Sequence, residues 1–422
     1  MLLVVASLLV GIVHVPQHQS LSPIDEYVYV DYYDKVLQQG VVREGEEVGD
    51  YARRELGCRG LRILLPVPDD RCTTASTILD DDSRFPMGGI TSADIYTPLY
   101  FAITRALAEP LILTGLIDSP TQAGRFMGAL WLAGAALLLY LALRRLRVSP
   151  WIGGGATLLV VGSLPAYWYT TYLSTDAPTM LAGALLLYLA IRFVQGASAG
   201  WWLVGAAPVV VWLKFQNFAA VGAIALALLF LALSRAVGAG GWREFRRDRR
   251  TLVALGMVLS AVSAQLLWLG IRSMLSLHIY SDQGTAQPLT GDTLLGLVFR
   301  YLVGAGQGVG GPAGAAILVS GIATWVGVVG VVGLAAVSRS SSSSASLAYG
   351  TLAMALVLGP LLAVMVKVTT GDYFPLPERY GLSLYPLFVA CATLLVRERR
   401  ASSVVLAGLG AVSYTALLFI GE

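Results

Sequence analysis

Apolar runs, many of them close to the roughly 17 to 25 residues needed to cross a hydrocarbon layer about 30 Å thick, recur along most of this chain between short polar stretches. They fall at 1 to 15, 124 to 143, 151 to 169, 178 to 194, 201 to 213, 218 to 233, 251 to 276, 313 to 337, 346 to 366, 382 to 396 and 402 to 420. This pattern predicts an all-α polytopic membrane protein. It reads as a single domain over 1 to 422, a bundle of about eleven to twelve transmembrane helices with a large first loop at 16 to 97. The first run has neither a basic n-region nor a small-residue cleavage site, so it is expected to be a retained span. One stretch breaks the alternation: YTPLYFAITRALAEPLILTGL, 96 to 116, is apolar enough to span but carries Arg105 and Glu109. Counting it as a crossing would invert every later loop. It is therefore expected to be re-entrant or interfacial, with Arg105 and Glu109 paired along one helical face.

Composition agrees with the pattern. The chain is 56% hydrophobic and 13% charged with a mean hydropathy of +0.69, against about 25% charged in ordinary globular proteins. Its net charge of +3 matters less than where the charges lie. Residues 16 to 97 hold fifteen Asp and Glu against eight Lys and Arg, whereas RRLR (144 to 147), WREFRRDRR (242 to 250) and RERR (397 to 400) are basic. Flanking spans make those clusters cytoplasmic anchors, so no nucleic-acid partner is expected. The loops at 144 to 150, 192 to 200, 234 to 250, 338 to 345 and 397 to 401 then lie inside. The acidic segment, with 170 to 177, 214 to 217, 277 to 312 and 367 to 381, lies outside. SRSSSSSASL, 338 to 347, reads as a flexible linker. Cys391 lies in an apolar run as a small hydrophobe. Cys58 and Cys72 are expected to form a disulfide if their loop faces an oxidising exterior, where closing about 15 residues is worth roughly 3 kcal/mol.

Polar chemistry concentrates on the outer face. Asp25 and Glu26, in SPIDEYVYVDYYDK, follow the first span and suit a general base or a metal ligand at the lipid boundary. A solvated acidic loop is the plainer alternative. The nearby tyrosines suit either sugar stacking or, for most of them, an aromatic belt at headgroup level. Asp176, in YTTYLSTDAPTM, suits either catalysis or, with Thr175, helix capping. Lys214 sits in a short turn between two apolar helices and needs a partner, a phosphate being one candidate, or else snorkels. In KVTTGDYFPLPERYGLSLYP, Arg379 offers a planar donor fork matched to phosphate, although Glu378 or Asp372 could claim it. No GxxxxGKS/T loop, HExxH or CxxC is present, and His14, His18 and His278 form no spaced metal set, so nothing in the sequence supports a nucleotide-hydrolysing pump or a zinc hydrolase.

These segments, in this order, resemble the GT-C superfamily of polyprenyl-phosphate-dependent glycosyltransferases, in the branch of protein mannosyltransferases and lipid A aminoarabinose transferases. IDEYVYVDYYDK resembles the family's DE-x-x-Y motif, TPLYFAITRAL its (H/K)PPLYY-type segment, and AGRFMGALWLAGAALLLYLALRRL its third membrane segment. STDAPTMLAGALLLYLAIR is similar to its S/T-x-D-A helix start, VWLKFQNFAAVGAIALALL to its LxxLTK-type turn, and PERYGLSLYPLF to its R-Y-x-x-x-x-x-P ending. The likeness covers about residues 1 to 396. It implies a GT-C-like bundle and an inverting transferase that moves a sugar from a polyprenyl-phosphate donor to a hydroxyl of a glycan, lipid or protein. The active site would be extracytoplasmic, in a bacterial plasma membrane. Asp25 would be the base, Glu26 its neighbour and Asp176 the second acid. Lys214, Arg379 and Tyr380 would hold the donor phosphate. A divalent cation, Mg or Mn, on Asp25 and Asp176 is left open. Thr97 stands where the family carries Lys or His, so Arg84 or Arg105 is the candidate replacement cation. The C-terminal domain of many relatives is missing, which leaves acceptor recognition to the outer loops. The alternatives are a transporter or flippase of lipid-linked sugars, for which no inverted repeat is visible, and a non-catalytic membrane subunit.

Overall fold

The first apolar run folds as α1 (Leu2–His14) and packs its small face on a later helix, where Gly11 leaves room for the Ala129 methyl. The structure, a computed structural model, describes residues 1–61, 85–239, 241–279, 286–308, 315–338 and 342–420. The acidic first loop supplies α2 (Glu26–Gln39) and α3 (Asp50–Arg59), and α4 (Leu99–Leu113) follows. The bundle continues through α5 (Pro120–Arg145), α6 (Pro150–Val161), α7 (Leu164–Thr170), α8 (Thr179–Val194) and α9 (Gly200–Leu213). Next come α10 (Phe218–Ala239), α11 (Trp242–Arg247), α12 (Arg249–Leu275), α13 (Gly291–Val298) and α14 (Arg300–Gly304). The chain closes with α15 (Ala315–Val337), α16 (Ser343–Thr370), α17 (Tyr385–Val396) and α18 (Arg400–Leu418).

Seven of these segments are long and apolar enough to cross a membrane, and four shorter apolar helices accompany them among the described residues. The protein is an all-α polytopic membrane protein, and each of the eleven expected spans has its helix. The two ends of the bundle differ in character. At one end the basic turns meet: Gln195 donates to the Arg145 carbonyl at 2.9 Å and Arg397 to the Leu146 carbonyl at 3.4 Å. At the other end the acidic loop meets the remaining turns. There Glu26 accepts from the Leu173 amide at 2.8 Å, and the Leu277 amide donates to the Glu44 carbonyl at 2.9 Å.

The helix α4 does not traverse the bundle. Near its start Tyr100 accepts from the Ser174 amide at 3.2 Å. Beyond its other end Ser119 accepts from Arg59 at 3.4 Å and Thr121 bonds Tyr51 at 2.9 Å, so it begins and finishes among acidic-end residues. Arg105 and Glu109 pair at 2.9 Å, as their spacing predicts.

Several details differ from expectation. The span at 151 to 169 is two helices, because Gly162 lets the chain press on Tyr414 of α18, where a Cβ would lie 2.4 Å from backbone. Ser163 then caps α7, accepting from Ala166 at 3.3 Å. The serine stretch is helical from Ser343, with Ser342 capping α16 at 3.0 Å, while 339–341 lie outside the described residues. The tyrosines of α2 form no headgroup belt. Tyr27, Tyr29, Tyr32 and Tyr33 are all buried in a second core with Phe85, Tyr100 and Phe101, and Tyr32 stacks on Phe101 at 4.2 Å. Four aromatic rings gain more by shedding water against other rings than by sitting at an interface. Cys391 is a buried free thiol and Cys58 is disulfide-bonded. Cys72, its expected partner, lies outside the described residues.

Candidate functional site

Asp25 and Glu26 are adjacent in sequence and part company in space. Asp25 is the N-cap of α2 but adopts the left-handed conformation at φ +57°, and its carboxylate makes no capping bond. Strain of this kind costs on the order of 1 kcal/mol and persists where surroundings hold it. Here the hold is Arg379, whose guanidinium donates to Asp25 Oδ2 at 2.6 Å. One turn along, Tyr29 donates to the same oxygen at 3.4 Å and shares a 3.1 Å bond with the Tyr96 hydroxyl.

Glu26 points the other way, into a closed network. Its Oε1 accepts from Arg125 Nε and the Leu173 amide, both at 2.8 Å, and its Oε2 from Arg125 at 2.8 Å and the Ser22 amide at 2.7 Å. Arg125 spends its other donors on the His18 and Ser20 carbonyls at 2.7 and 2.9 Å. Each Glu26 oxygen already has two donors, so this carboxylate ties the first loop to α5 and meets no open space. The sequence places it beside the candidate base Asp25; the structure makes it a brace.

Asp176 and Lys214 form the buried half of the site. The N-cap of α8 is Pro178 and carries no side-chain cap, so neither Thr175 nor Asp176 is spent on capping. Asp176 Oδ1 instead meets Lys214 Nζ in a close ion pair, and Oδ2 lies 3.6 Å from Arg379 Nε. Lys214 does not snorkel. Its ammonium is buried, 5.9 Å from the ring centres of both Tyr96 and Tyr380. Tyr380 also flanks Arg379 at 5.8 Å.

The result is two carboxylates and two cations walled by Tyr29, Tyr96 and Tyr380, with Asp25 the exposed member at 45% of its side chain. Burial pulls the Lys214 ammonium down to about 8 from 10.5, Asp176 opposing and Arg379 adding to the fall. Burial also lifts the phenols of Tyr29 and Tyr96 well above their usual range, which keeps both neutral donors. A divalent ion does not fit as the site stands. Arg379 bridges Asp25 and Asp176, the two oxygen ligands proposed for it, and no group of three His, Cys, Asp or Glu converges among the described residues.

Arg84 lies outside the described residues. Arg105 belongs to Glu109 and to the face of Tyr33, at 5.2 Å, and takes no part. Thr97 donates to the Trp212 carbonyl and so fixes the turn before Lys214. Glu378 and Asp372, the rival claimants to Arg379, are engaged by Arg300 at 2.7 Å and Lys367 at 3.9 Å. Sequence reasoning missed Arg125 and Tyr96. Arg125 had a signal, a charge near the start of an apolar helix; Tyr96 had none.

Fold and site together define a polytopic helical membrane protein with a charge-balanced, aromatic-walled cluster at the acidic end of its bundle. No family model and no curated protein matches the chain.

Proposed function

We propose that the protein is an inverting glycosyltransferase of GT-C type, moving a sugar from a polyprenyl-phosphate donor to an acceptor hydroxyl at the extracytoplasmic face of a bacterial plasma membrane. The observation that carries this reading is the meeting of Asp25, Asp176, Lys214 and Arg379, drawn from four distant segments, in one cluster. Two cations side by side offer a phosphate what two carboxylates now receive. When the donor phosphate takes Arg379 and Lys214, Asp25 loses its guanidinium partner and becomes free to accept a proton, while buried Asp176 keeps both cations aimed. The acceptor oxygen then bonds to the anomeric carbon as its proton passes to Asp25. The bond from that carbon to the phosphate oxygen breaks, and prenyl phosphate leaves with the electron pair. Its charge rests on Lys214 and Arg379, and the configuration inverts. Positioning and preformed electrostatics supply the rate, because phosphate already leaves well.

The test is release of polyprenyl phosphate from a pool of polyprenyl-phosphate sugars by purified protein. Asp25→Asn should lower turnover by about 100-fold or more. Asp34→Asn, on the same helix and half-buried, should leave it near wild type. Equal turnover in the two variants would reject the base. Donor moved between leaflets without release of prenyl phosphate would instead identify a flippase.

A further inference from the structure

Two adjoining cavities at the basic end of the bundle take no part in the chemistry above. One is an apolar cleft of about 580 Å³, mouth included, between α8, α10, α16 and α17, walled by Leu187, Ile191, Ile224, Leu228 and Leu394 with Ser343 at its rim. The other, of about 620 Å³ on the same basis, is lined by Arg147, Ser149, Arg397 and Glu398. Leu146 walls both, so an apolar space and a cationic one meet at a single side chain.

Apart from the 3.4 Å bond that Arg397 donates to the Leu146 carbonyl, the two cations there have little internal engagement. Among the described residues the only ion pair of Arg397 is with Glu398, at 3.5 Å, whose side chain is 84% exposed. Surface pairs of that kind contribute little and exchange readily. Arg147 holds a left-handed backbone at φ +63°, unusual for a side chain of this size, and its amide bonds the Arg144 carbonyl at 3.1 Å. The chemistry asked for is an anionic head carried on an apolar tail. A planar donor fork matches phosphate oxygens, the cleft offers an acyl chain an apolar lining, and basic pockets between membrane helices bind anionic headgroups.

We propose that this end of the protein binds one anionic phospholipid of the adjacent leaflet, its phosphate between Arg147 and Arg397 and one acyl chain in the cleft beside Leu146. The assignment does not depend on the glycosyltransferase reading, and its test uses no turnover. Native mass spectrometry of the detergent-purified full chain, titrated with phosphatidylglycerol, reads the bound lipid directly. Wild type should retain one phosphatidylglycerol, and the double variant Arg147→Gln with Arg397→Gln should bind it at least tenfold more weakly. Arg243→Gln with Arg246→Gln, exposed on α11, removes the same charge and should bind as wild type. Ser343→Trp should obstruct the rim and weaken binding with every arginine intact. Inorganic phosphate should neither bind stably nor compete. The proposal is overturned if the two double variants lose affinity equally, if phosphatidylcholine binds as tightly, or if Ser343→Trp and the Arg147, Arg397 variant both bind as wild type.

Discussion

At the scale of single residues, the charge on Lys214 is the most sensitive quantity in the pocket. Its folded pKa of about 8 lies below the ordinary 10.5, so the folded chain sheds this proton first as pH rises. From this group alone, folding stability rises between those two values while the cation disappears. Binding and stability therefore move in opposite directions above pH 8. The KM for the donor should climb through that pH with no loss of thermal stability, and Lys214→Arg, which stays charged, should remove the alkaline limb. An unchanged limb in that variant would mean that another group titrates. The same scale divides the DE pair. Both residues are legible as a motif, yet only Asp25 joins the charged cluster, because Arg125 and the Leu173 and Ser22 amides together occupy both oxygens of Glu26. Asp25 holds a left-handed backbone while Glu26 opens α2, so the two carboxylates leave the chain in different directions.

At the scale of elements, the pocket depends on how closely helices approach one another. Gly183 of α8 faces the turn that follows Arg379, where a Cβ would sit 2.1 Å from the Ser383 carbonyl oxygen. Gly183→Ala should push that turn away, destabilise the protein by about 1 to 3 kcal/mol, and lower turnover by displacing Arg379. Gly154→Ala, on α6 with nothing within 4 Å, should be neutral or slightly stabilising and leave turnover intact. Thermal unfolding and turnover of the two variants, read together, check the contrast. The apolar runs were readable because length and hydropathy are properties of a segment. The break at Gly162 and the burial of the α2 tyrosines were not, since each depends on a partner far away in sequence, Tyr414 in one case and Phe101 in the other.

At the scale of the whole molecule, the eleven apolar helices among the described residues run between an acidic end and a basic end, and α4 returns to the end it left. Single cysteines check this in sealed vesicles with an impermeant maleimide. Leu116→Cys, just after α4, should label from the same face as Asp372→Cys, and Arg243→Cys from the opposite one. Labelling of positions 116 and 372 from opposite faces would make α4 a crossing. The sequence by itself determined the membrane class, the order of the helices and the two unlike ends, because hydropathy and charge act over short windows and need no partner. Only the tertiary structure decided which charges share a pocket. Asp25, Asp176, Lys214 and Arg379 are separated by up to 354 positions along the chain. Their meeting rests on helix packing, including the close approach of Gly183 to the turn after Arg379, which no local pattern announces.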